Sequence, residues 1–371
     1  MMTVELVPNA DERALADTVS EVLADLSSLE RVRADLDTEP GFGAGAWKAL
    51  ARDVGLCGLT IPEQHGGLGL GLSAVNVVHH ELGRALYPGP FLATSLASTA
   101  LLAAGAEASL PGIAAGDTVA TVALADRSGA WTGAGVVAVN SQSGANDGWR
   151  LTGRRWFAIA AHAADLLVVL ARTDAGDALF AVEAGAAGLS ATPMTGLDLT
   201  RRLAVVDLAD TPATLVGTVD STGGALAEVG RHLRVTLSAE AAGGLEWCAT
   251  TCVEYAKSRQ QFGRIIGSFQ AVAHACVDLF DAARSAHAAA RWAAVAAQNG
   301  VAEAELAGHI AALRAGENYK SCTEAGVHLL GGIGFTWEHD MHLYYRRARA
   351  AATLSGGPAA HRLAIAELAG L

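Results

Sequence analysis

The sequence predicts an α+β fold in which an N-terminal α-helical domain, a small middle β domain and a C-terminal four-helix bundle follow one another. The hydrophobic periodicity changes from helical to strand-like and back to helical along the chain. A length of 371 residues suggests two or three compact units, and 51% hydrophobic against 17% charged residues is typical of a folded protein. The predicted domains are residues 1–115, 116–217 and 218–371.

The first domain is predicted from stretches such as DERALADTVSEVLADL and GAWKALARDVGL, in which apolar residues recur at three- and four-residue spacing. Glycine-rich breaks, GFGAG and HGGLGLGL, separate these stretches. An uncharged run lies between Arg84 and Glu107, but Pro88 and Pro90 interrupt it early. This interruption favours a soluble helical segment over a membrane span.

The second domain is predicted from short β-branched runs, TVATVALA, GVVAVN, DLLVVLAR and LAVVDLA, bounded by Gly, Asp and Asn. Such runs indicate a small antiparallel β unit. Helical periodicity then returns in Ala-rich stretches at 222–258, 266–299, 302–330 and 338–354, with a short last helix near 358–369. Four long helices with short connections predict an antiparallel bundle.

The formal net charge of −12 disfavours nucleic-acid binding, which requires a basic surface. A local basic cluster of Arg346, Arg347 and Arg349 indicates either a site for a phosphate-bearing small ligand or, as we favour, a solvated helix face. The acidic N-terminal stretch lacks the basic and apolar regions of a secretory signal.

Five cysteines without a CxxC pair argue against a disulfide framework and favour a reducing cytoplasm. Cys248 and Cys252 are four residues apart on a predicted helix, a spacing that suits either a shared metal or buried packing. We favour packing, because no partner pair at ligand spacing accompanies them, and the histidines also lack metal-site spacing. No metal is expected.

The most informative segment is YAKSRQQFGRIIGSFQ, residues 255–270. It resembles the RxxFGxxIxxFQ pattern of acyl-CoA dehydrogenases. A helical hairpin with a glycine turn explains Gly263 alone, whereas the resemblance explains the whole set of matching residues: Arg259, Gln261, Phe262, Gly263, Ile266, Phe269 and Gln270.

Three further segments are similar to patterns of the same family, in order along the chain. Residues 59–69 are similar to its N-terminal PExxGGxG, residues 153–165 to its flavin-facing strand, and residues 331–340 to its GGxGF/Y turn. Together the four segments extend the resemblance over essentially the whole chain. The resemblance therefore implies the fold of acyl-CoA dehydrogenases, with FAD as cofactor and an acyl-CoA as substrate.

In the family, the arginine and phenylalanine of RxxFG and the double-glycine turn contact the dinucleotide of a neighbouring subunit. Cations and N–H donors suit its pyrophosphate, flat apolar walls suit its rings, and glycines permit close backbone approach. The resemblance implies a homo- or hetero-oligomer, most simply a dimer of dimers, that passes electrons to an acceptor flavoprotein. The cofactor-binding residues that it implies are Arg259, Gln261, Phe262, Phe269, Gln270, His328, Gly331 and Gly332, with Trp156 and Phe157 at the flavin.

Three positions depart from the family pattern around the flavin. His328 stands where the family usually has glutamine, residues 125–131 replace TEPxxGSD, and Phe157 begins the segment that replaces WxT. These changes remove amide, hydroxyl and carboxyl partners. We therefore expect the flavin to be held either by backbone groups alone or more weakly.

The catalytic carboxylate is missing from both of its usual positions in the family. The EGT-like segment reads LSGGP at residues 354–358, and the alternative position is Leu233, beside an Arg234 that matches an arginine of the acyl site. We predict Arg234 to bind substrate and Glu240 to act as the base, since Glu240 lies on nearly the same helix face about 10 Å further along. The alternative is that Glu240 is structural, and Glu81 is read as structural.

The run WEHDxHLYxRR, residues 337–347, is similar to actinobacterial members that act on steroid side-chain or other bulky acyl-CoAs. In part of that group two different chains pair, and one lacks the base. Two hypotheses follow: a catalytic subunit that uses Glu240, or a non-catalytic subunit that completes a partner's flavin site, as in a heterotetramer. A third is a flavin-independent or oxidase-like branch of the same fold.

Overall fold

The structure of the protein, a computed structural model, describes residues 6–141 and 148–371. In these two ranges, six α-helices precede a seven-stranded sheet and five α-helices follow it. This order confirms the predicted α+β class with helices at both ends and strands in the middle.

Helix α5 is buried on almost every side and shares one core with residues of α1, α3 and α4. Helix α1 begins at a capping box, in which Asn9 Oδ1 accepts from the Glu12 backbone N–H at 2.8 Å and Glu12 Oε2 accepts from that of Asn9 at 2.9 Å. Within the described ranges, no helix is both long and apolar enough to cross a membrane. The helices are α1 Ala10–Leu26, α2 Leu29–Asp35, α3 Ala44–Lys48, α4 Leu72–Arg84, α5 Phe91–Ala104 and α6 Leu110–Ala114.

The strands form one sheet that closes on itself. Antiparallel pairings run from β4 to β5, β7, β3 and β2, and a short parallel contact joins β2 back to β4. The predicted all-antiparallel arrangement is wrong for β1, which pairs parallel to β4 because the β2–β3 hairpin lies between them in the chain. The strands are β1 Ala120–Ala123, β2 Val136–Ser141, β3 Gly148–Ile159, β4 Leu166–Thr173, β5 Gly176–Glu183, β6 Leu189–Pro193 and β7 Leu203–Val216.

The C-terminal helices lie close to their predicted positions. Helices α7, α8 and α9 share one core with α10, around residues such as Cys252, Leu279, Tyr319 and Tyr344. The 40-residue α7 is the longest and packs against α4, α8 and α9. The helices are α7 Val219–Ser258, α8 Gln270–Gln298, α9 Ala304–Leu330, α10 Met341–Leu354 and α11 Gly357–Leu368.

Helices α4 and α7 cross at two glycines. A Cβ at Gly243 would lie 1.9 Å from the carbonyl oxygen of His80, and one at Gly83 would lie 2.0 Å from that of Glu240. Neither position accepts a side chain without displacing the neighbouring backbone. The crossing therefore fixes Glu240 against α4 rather than against an open surface.

The cysteines of α7 are part of the bundle core. Cys248 and Cys252 are fully buried, and burial raises the pKa of Cys252 to about 12. No group of three or more His, Cys, Asp or Glu side chains that suits a metal ion occurs in the described ranges. A second core runs from Val19 through Leu166 to Leu237, across the three predicted domains, so their boundaries stay predictions.

Candidate functional site

A two-residue hairpin protrudes where α7 ends. Strands β8 Gln260–Gln261 and β9 Arg264–Ile265 pair across Phe262 and Gly263, whose φ values are +54° and +78°. Two positive φ angles at the centre of such a loop define a type I′ turn, which Gly263 accepts easily and a phenylalanine does not. The strained Phe262 is 91% exposed, so its ring is presented at the tip of the hairpin.

The predicted cofactor residues of this segment cluster around that ring. Phe269 lies edge-on to Phe262 with ring centroids 6.1 Å apart, and the Arg264 guanidinium lies 4.0 Å from the Phe269 centroid. Arg259, Gln261 and Gln270 are exposed beside them. The hairpin thus combines aromatic surface, a cation and amide groups, all directed away from its own chain.

The double-glycine turn occupies the same end of the bundle, since α7 and α9 both end there and share core residues Cys252 and Leu330. Gly331 has a φ of +68°, and no atom of the described residues would lie within 4 Å of a Cβ at Gly331 or Gly332. His328, one turn earlier on α9, is exposed. The structure therefore leaves the backbone of this turn open to close approach by a ligand or another chain.

Two adjoining cavities lie between the sheet, α7 and the α10–α11 turn. The apolar cavity, about 320 Å³, has Leu124, Trp156 and Phe157 among its walls. The polar cavity, about 680 Å³, has Arg231, Arg234, Glu305 and Ser355 among its walls. Both share part of their lining: Ser128, Gly129, Trp131, Leu233, Thr353 and Leu354.

A bulge in β3 shapes the apolar cavity. The register between β3 and β7 shifts between Arg155 and Ala158, and Phe157 within this shift has a φ of +58°. The Trp156 backbone N–H donates to the Ala125 carbonyl at 3.0 Å. The bulge therefore directs both predicted flavin-facing aromatic side chains into the cavity wall, at the cost of a strained Phe157.

The structure brings the two vacant base positions together. Leu233 on α7 and Ser355 at the end of α10, more than a hundred residues apart in sequence, both line the polar cavity, as does the predicted substrate-binding Arg234. The carboxylate in that lining is Glu305 of α9, which is ion-paired with Arg231 at 2.7 Å and with Arg234. Glu305 is a residue that the sequence pattern did not single out.

Glu240 lies outside both cavities. It borders a separate space of about 20 Å³ with His79, Thr200, Arg201 and Arg347. Its carboxylate is ion-paired with Arg201 and, at 2.8 Å, with Arg347, and all three side chains are buried. A space of this size holds at most a water molecule, so no acyl group fits beside Glu240.

The electrostatics of Glu240 also oppose a role as base. Burial alone would raise the pKa of Glu240, but the charges of Arg201 and Arg347 outweigh burial and lower the pKa to about 2. A carboxylate so strongly stabilised in its ionised form is a weak proton acceptor. The catalytic role of Glu240 thus remains a prediction that neither its position nor its pKa supports.

The basic cluster divides into three different environments. Arg347, predicted with its neighbours to lie on a solvated face, is instead fully buried, with Asp198 at 2.7 Å and Glu240 as partners. Arg346 lies over the exposed Trp337 ring, and Arg349 pairs with Glu324 at 2.6 Å. The solvated-face interpretation is therefore wrong for Arg347, because its partners lie more than a hundred residues away in sequence.

A chain of hydrogen bonds starts at Ser355. Its Oγ lies 3.0 Å from Nε2 of His361, and Nδ1 of His361 lies 3.0 Å from Nδ1 of His309. His361 is 2% exposed, and burial together with His309 and Arg234 lowers the pKa of His361 to about 4. The three residues come from α9, the α10–α11 turn and α11, and sequence spacing gave no sign of their contact.

The residues present fit a flavin dinucleotide by their chemistry. Trp156 and Phe157 supply flat apolar surface at the cavity, while the exposed hairpin supplies the Arg259 cation and the turn supplies unhindered backbone at Gly331 and Gly332. The described residues of the hairpin and of the turn line neither cavity of their own chain. They therefore fit a dinucleotide bound mainly by another chain.

Comparisons with known proteins cover most of the chain. The N-terminal domain of acyl-CoA dehydrogenases matches residues 9–117 and the C-terminal domain matches residues 227–369. The acyl-CoA dehydrogenase IpdE2 of Mycobacterium tuberculosis is 34% identical over 95% of each chain. The ChsE4–ChsE5 complex of Mycobacterium tuberculosis superposes with a TM-score of 0.87 at 26% identity over 99% of each chain. A steroid dehydrogenase variant, Tcur3481–Tcur3483, gives 0.83 at 28% identity over 97% of this chain and 98% of the other.

Proposed function

Because the chain belongs to the acyl-CoA dehydrogenase family, we propose that it is a subunit of an FAD-dependent acyl-CoA dehydrogenase. The reaction is the α,β-dehydrogenation of an acyl-CoA thioester to an enoyl-CoA. The similarity to the Tcur3481–Tcur3483 steroid dehydrogenase structure supports a bulky acyl group of steroid breakdown as substrate. We place the reaction in the cytoplasm, with an electron-transferring flavoprotein as acceptor.

The observation that carries the proposal is the exposed end of the bundle. Phe262 is 91% exposed on a strained turn, next to an exposed Arg259 and on the same end of the bundle as the open Gly331 turn. In a monomer, a strained and exposed phenylalanine is unfavourable, because both the strain and the exposure raise the free energy of the folded chain. A partner chain with a bound dinucleotide gives the ring, the cation and the glycines a common role.

FAD supplies the acceptor for the β-hydrogen of the substrate, which leaves as hydride. In this chain, Trp156 and Phe157 would hold the flavin by their flat faces, and the bulge of β3 keeps their orientation fixed. Arg259 and the Gly331 turn would hold the dinucleotide of the neighbouring subunit. The hairpin thereby makes flavin binding depend on assembly.

We place the thioester in the polar cavity and the acyl group along the lining that the two cavities share, beside the Trp156 and Phe157 wall assigned to the flavin. Trp131 and Leu233 line both cavities, so a ligand that fills them passes between these side chains. Arg234 lies on the polar side, where its cation suits the carbonyl oxygen of a thioester.

A second candidate function is a non-catalytic subunit that completes the flavin site of a partner. It is favoured by Leu233 and Ser355, which place no carboxylate at either usual position of the base, and by the closed ion pairs around Glu240. In this case the partner chain supplies the base. The similarity to the ChsE4–ChsE5 complex, which contains two different chains, supports a heteromer.

Co-purification tests the proposal. The tagged chain is expressed with the product of the neighbouring gene, and flavin is quantified from visible absorbance after heat release. We expect a stable assembly with non-covalent FAD, and more FAD in the assembly than in the isolated chain. An assembly that is colourless and takes up no added FAD contradicts the proposal.

A further inference from the structure

We propose that Ser355, His361 and His309 form a proton relay that removes the α-proton of an acyl thioester bound in the polar cavity. This inference rests on the proposed function and deepens it. The relay takes the place of the carboxylate that is missing from positions 233 and 355.

The α10–α11 turn fixes the position of the first member. Gly356 and Gly357 have φ values of +105° and +79°, which glycine adopts without strain, so the chain reverses immediately after Ser355. Helix α11 then returns His361 to a distance of 3.0 Å from the Ser355 hydroxyl. Ser355 is half-buried in the polar cavity wall, whereas His361 is hidden behind it.

The hydrogen bond between His361 and His309 determines the tautomer of each ring. Two Nδ1 atoms 3.0 Å apart form a hydrogen bond only if one donates and the other accepts. The relay requires His361 to donate from Nδ1 to His309, which leaves His361 Nε2 as acceptor for the Ser355 hydroxyl. Burial, together with the charge of Arg234, lowers the pKa of His309 and of His361, so both rings are neutral and His309 Nδ1 can accept the hydrogen bond.

The step is balanced without an oxidant. The Cα–H bond of the thioester breaks, its proton passes to Ser355 Oγ, and the Ser355 hydroxyl proton passes to His361 Nε2. The electron pair stays on the thioester as an enolate, close to the guanidinium groups of Arg231 and Arg234 that line the same cavity. In heavy water the reverse step returns a deuteron to Cα.

This exchange is measurable apart from dehydrogenation. Phenylacetyl-CoA has acidic α-protons and no β-hydrogen, so it exchanges protons but cannot be dehydrogenated. The full-length chain is mixed with phenylacetyl-CoA in heavy water, and loss of the α-proton signal is followed by NMR. Calorimetry measures binding of the same compound separately.

We expect the chain to accelerate exchange above the buffer rate, and Ser355→Ala to lower the acceleration by about 10²-fold with unchanged binding. His361→Asn should lower the acceleration to the same extent. If His361→Asn does not fold, His309→Asn tests the relay instead, because His309 is only half-buried. Ser355→Thr retains the hydroxyl and should retain exchange. Ser321→Ala is the matched control, because Ser321 is an exposed serine on α9 whose hydroxyl donates to the Asn318 carbonyl.

Two results overturn the relay and leave the proposed function intact. One is binding of phenylacetyl-CoA without exchange above the buffer rate, and the other is undiminished exchange by Ser355→Ala. Absence of binding removes the acyl-CoA site and counts against both proposals.

Discussion

The surroundings of Glu240 and the polar cavity contrast sharply, although both lie along α7. Around Glu240 the space is about 20 Å³, and charges of both signs are paired and buried. The polar cavity is about 680 Å³ and borders solvent-accessible side chains such as Ser355. A carboxylate on the helix face used for catalysis is therefore not sufficient for catalysis, because its neighbours decide whether it accepts a proton or closes a salt bridge.

The largest expected effect comes from breaking the buried ion pairs. Glu240→Gln leaves Arg201 and Arg347 with less counter-charge in a buried setting, and loss of one partner of such a pair typically costs about 3–5 kcal/mol. Urea unfolding followed by circular dichroism measures the change. Glu254→Gln, which removes an exposed ion pair with Lys257, is the control and should cost less than about 1 kcal/mol. Equal stability of the Glu240 and Glu254 variants contradicts this reading of Glu240.

The second prediction concerns the polar cavity. Ser355→Glu places a carboxylate in the polar cavity, whereas Ser355→Gln places a side chain of equal size that accepts no proton. In the flavin-loaded assembly, acyl-CoA oxidation with an artificial electron acceptor should be about 10²-fold faster for the Glu than for the Gln variant. Equal rates would show that this cavity holds no thioester.

The third prediction separates the cavity from the exposed hairpin. Arg259→Ala should lower FAD occupancy of the assembly, since a lost charge-assisted phosphate contact costs about 1.5–3 kcal/mol. Melting temperature should change little, because Arg259 is exposed. Arg13→Ala, at an exposed position of α1, is the control. Loss of stability with unchanged occupancy would mean that Arg259 is structural.

The smallest effect concerns a second ionised cluster at the α4–α7 crossing. His80 lies 3.1 Å from Glu81 and 3.3 Å from Glu246; burial alone would lower the pKa of His80, but these carboxylates raise it to about 9. Because the pKa of His80 in the folded protein is above its ordinary value of about 6.5, protonated His80 stabilises the fold fully below about pH 6.5. This stabilisation is lost as the pH rises through about 9. The carboxylates, whose pKa values are lowered, remain charged across this range.

His80→Gln should therefore lower the melting temperature more at pH 6 than at pH 10, and His274→Gln, at an exposed position of α8, should show no such trend. A His80 effect that is equal at both pH values contradicts the ion-pair account. The expected stability difference is on the order of 1 kcal/mol, since Glu246 is half-exposed.

The sequence predicted the long C-terminal helices, because local hydrophobic periodicity determines them. The bounds of α7, α8 and α9 lie within a few residues of the predicted stretches, because apolar spacing and terminal glycines act over one or two helical turns. The two short strands of the hairpin after α7 were not predicted, because the sequence indicated only a glycine turn there. The parallel pairing of β1 with β4 was missed, because strand partners are chosen over long distances by the closure of the whole sheet.

Polar partners across the fold were missed for the same reason. Arg347 lies in a basic run of the sequence that indicated an exposed helix face. The partners of Arg347, which are Asp198 and Glu240, come from other elements. Ser355 was noted only as a missing acid, since nothing in the sequence indicates that His361 and His309 approach it. Charged and histidine side chains carry no periodic signal that predicts their contacts.

The most direct test of the difference between Glu240 and the polar cavity is the rate at which acyl-CoA bleaches the visible flavin absorbance of an assembly that carries Glu240→Gln. Circular dichroism first establishes the folded fraction, so that the rate is expressed per folded assembly. The structural role of Glu240 predicts a rate per folded assembly equal to that of the unmodified protein, with a lower melting temperature. A fully folded Glu240→Gln assembly whose bleaching is slower by about 10²-fold would contradict this account and would establish Glu240 as the base.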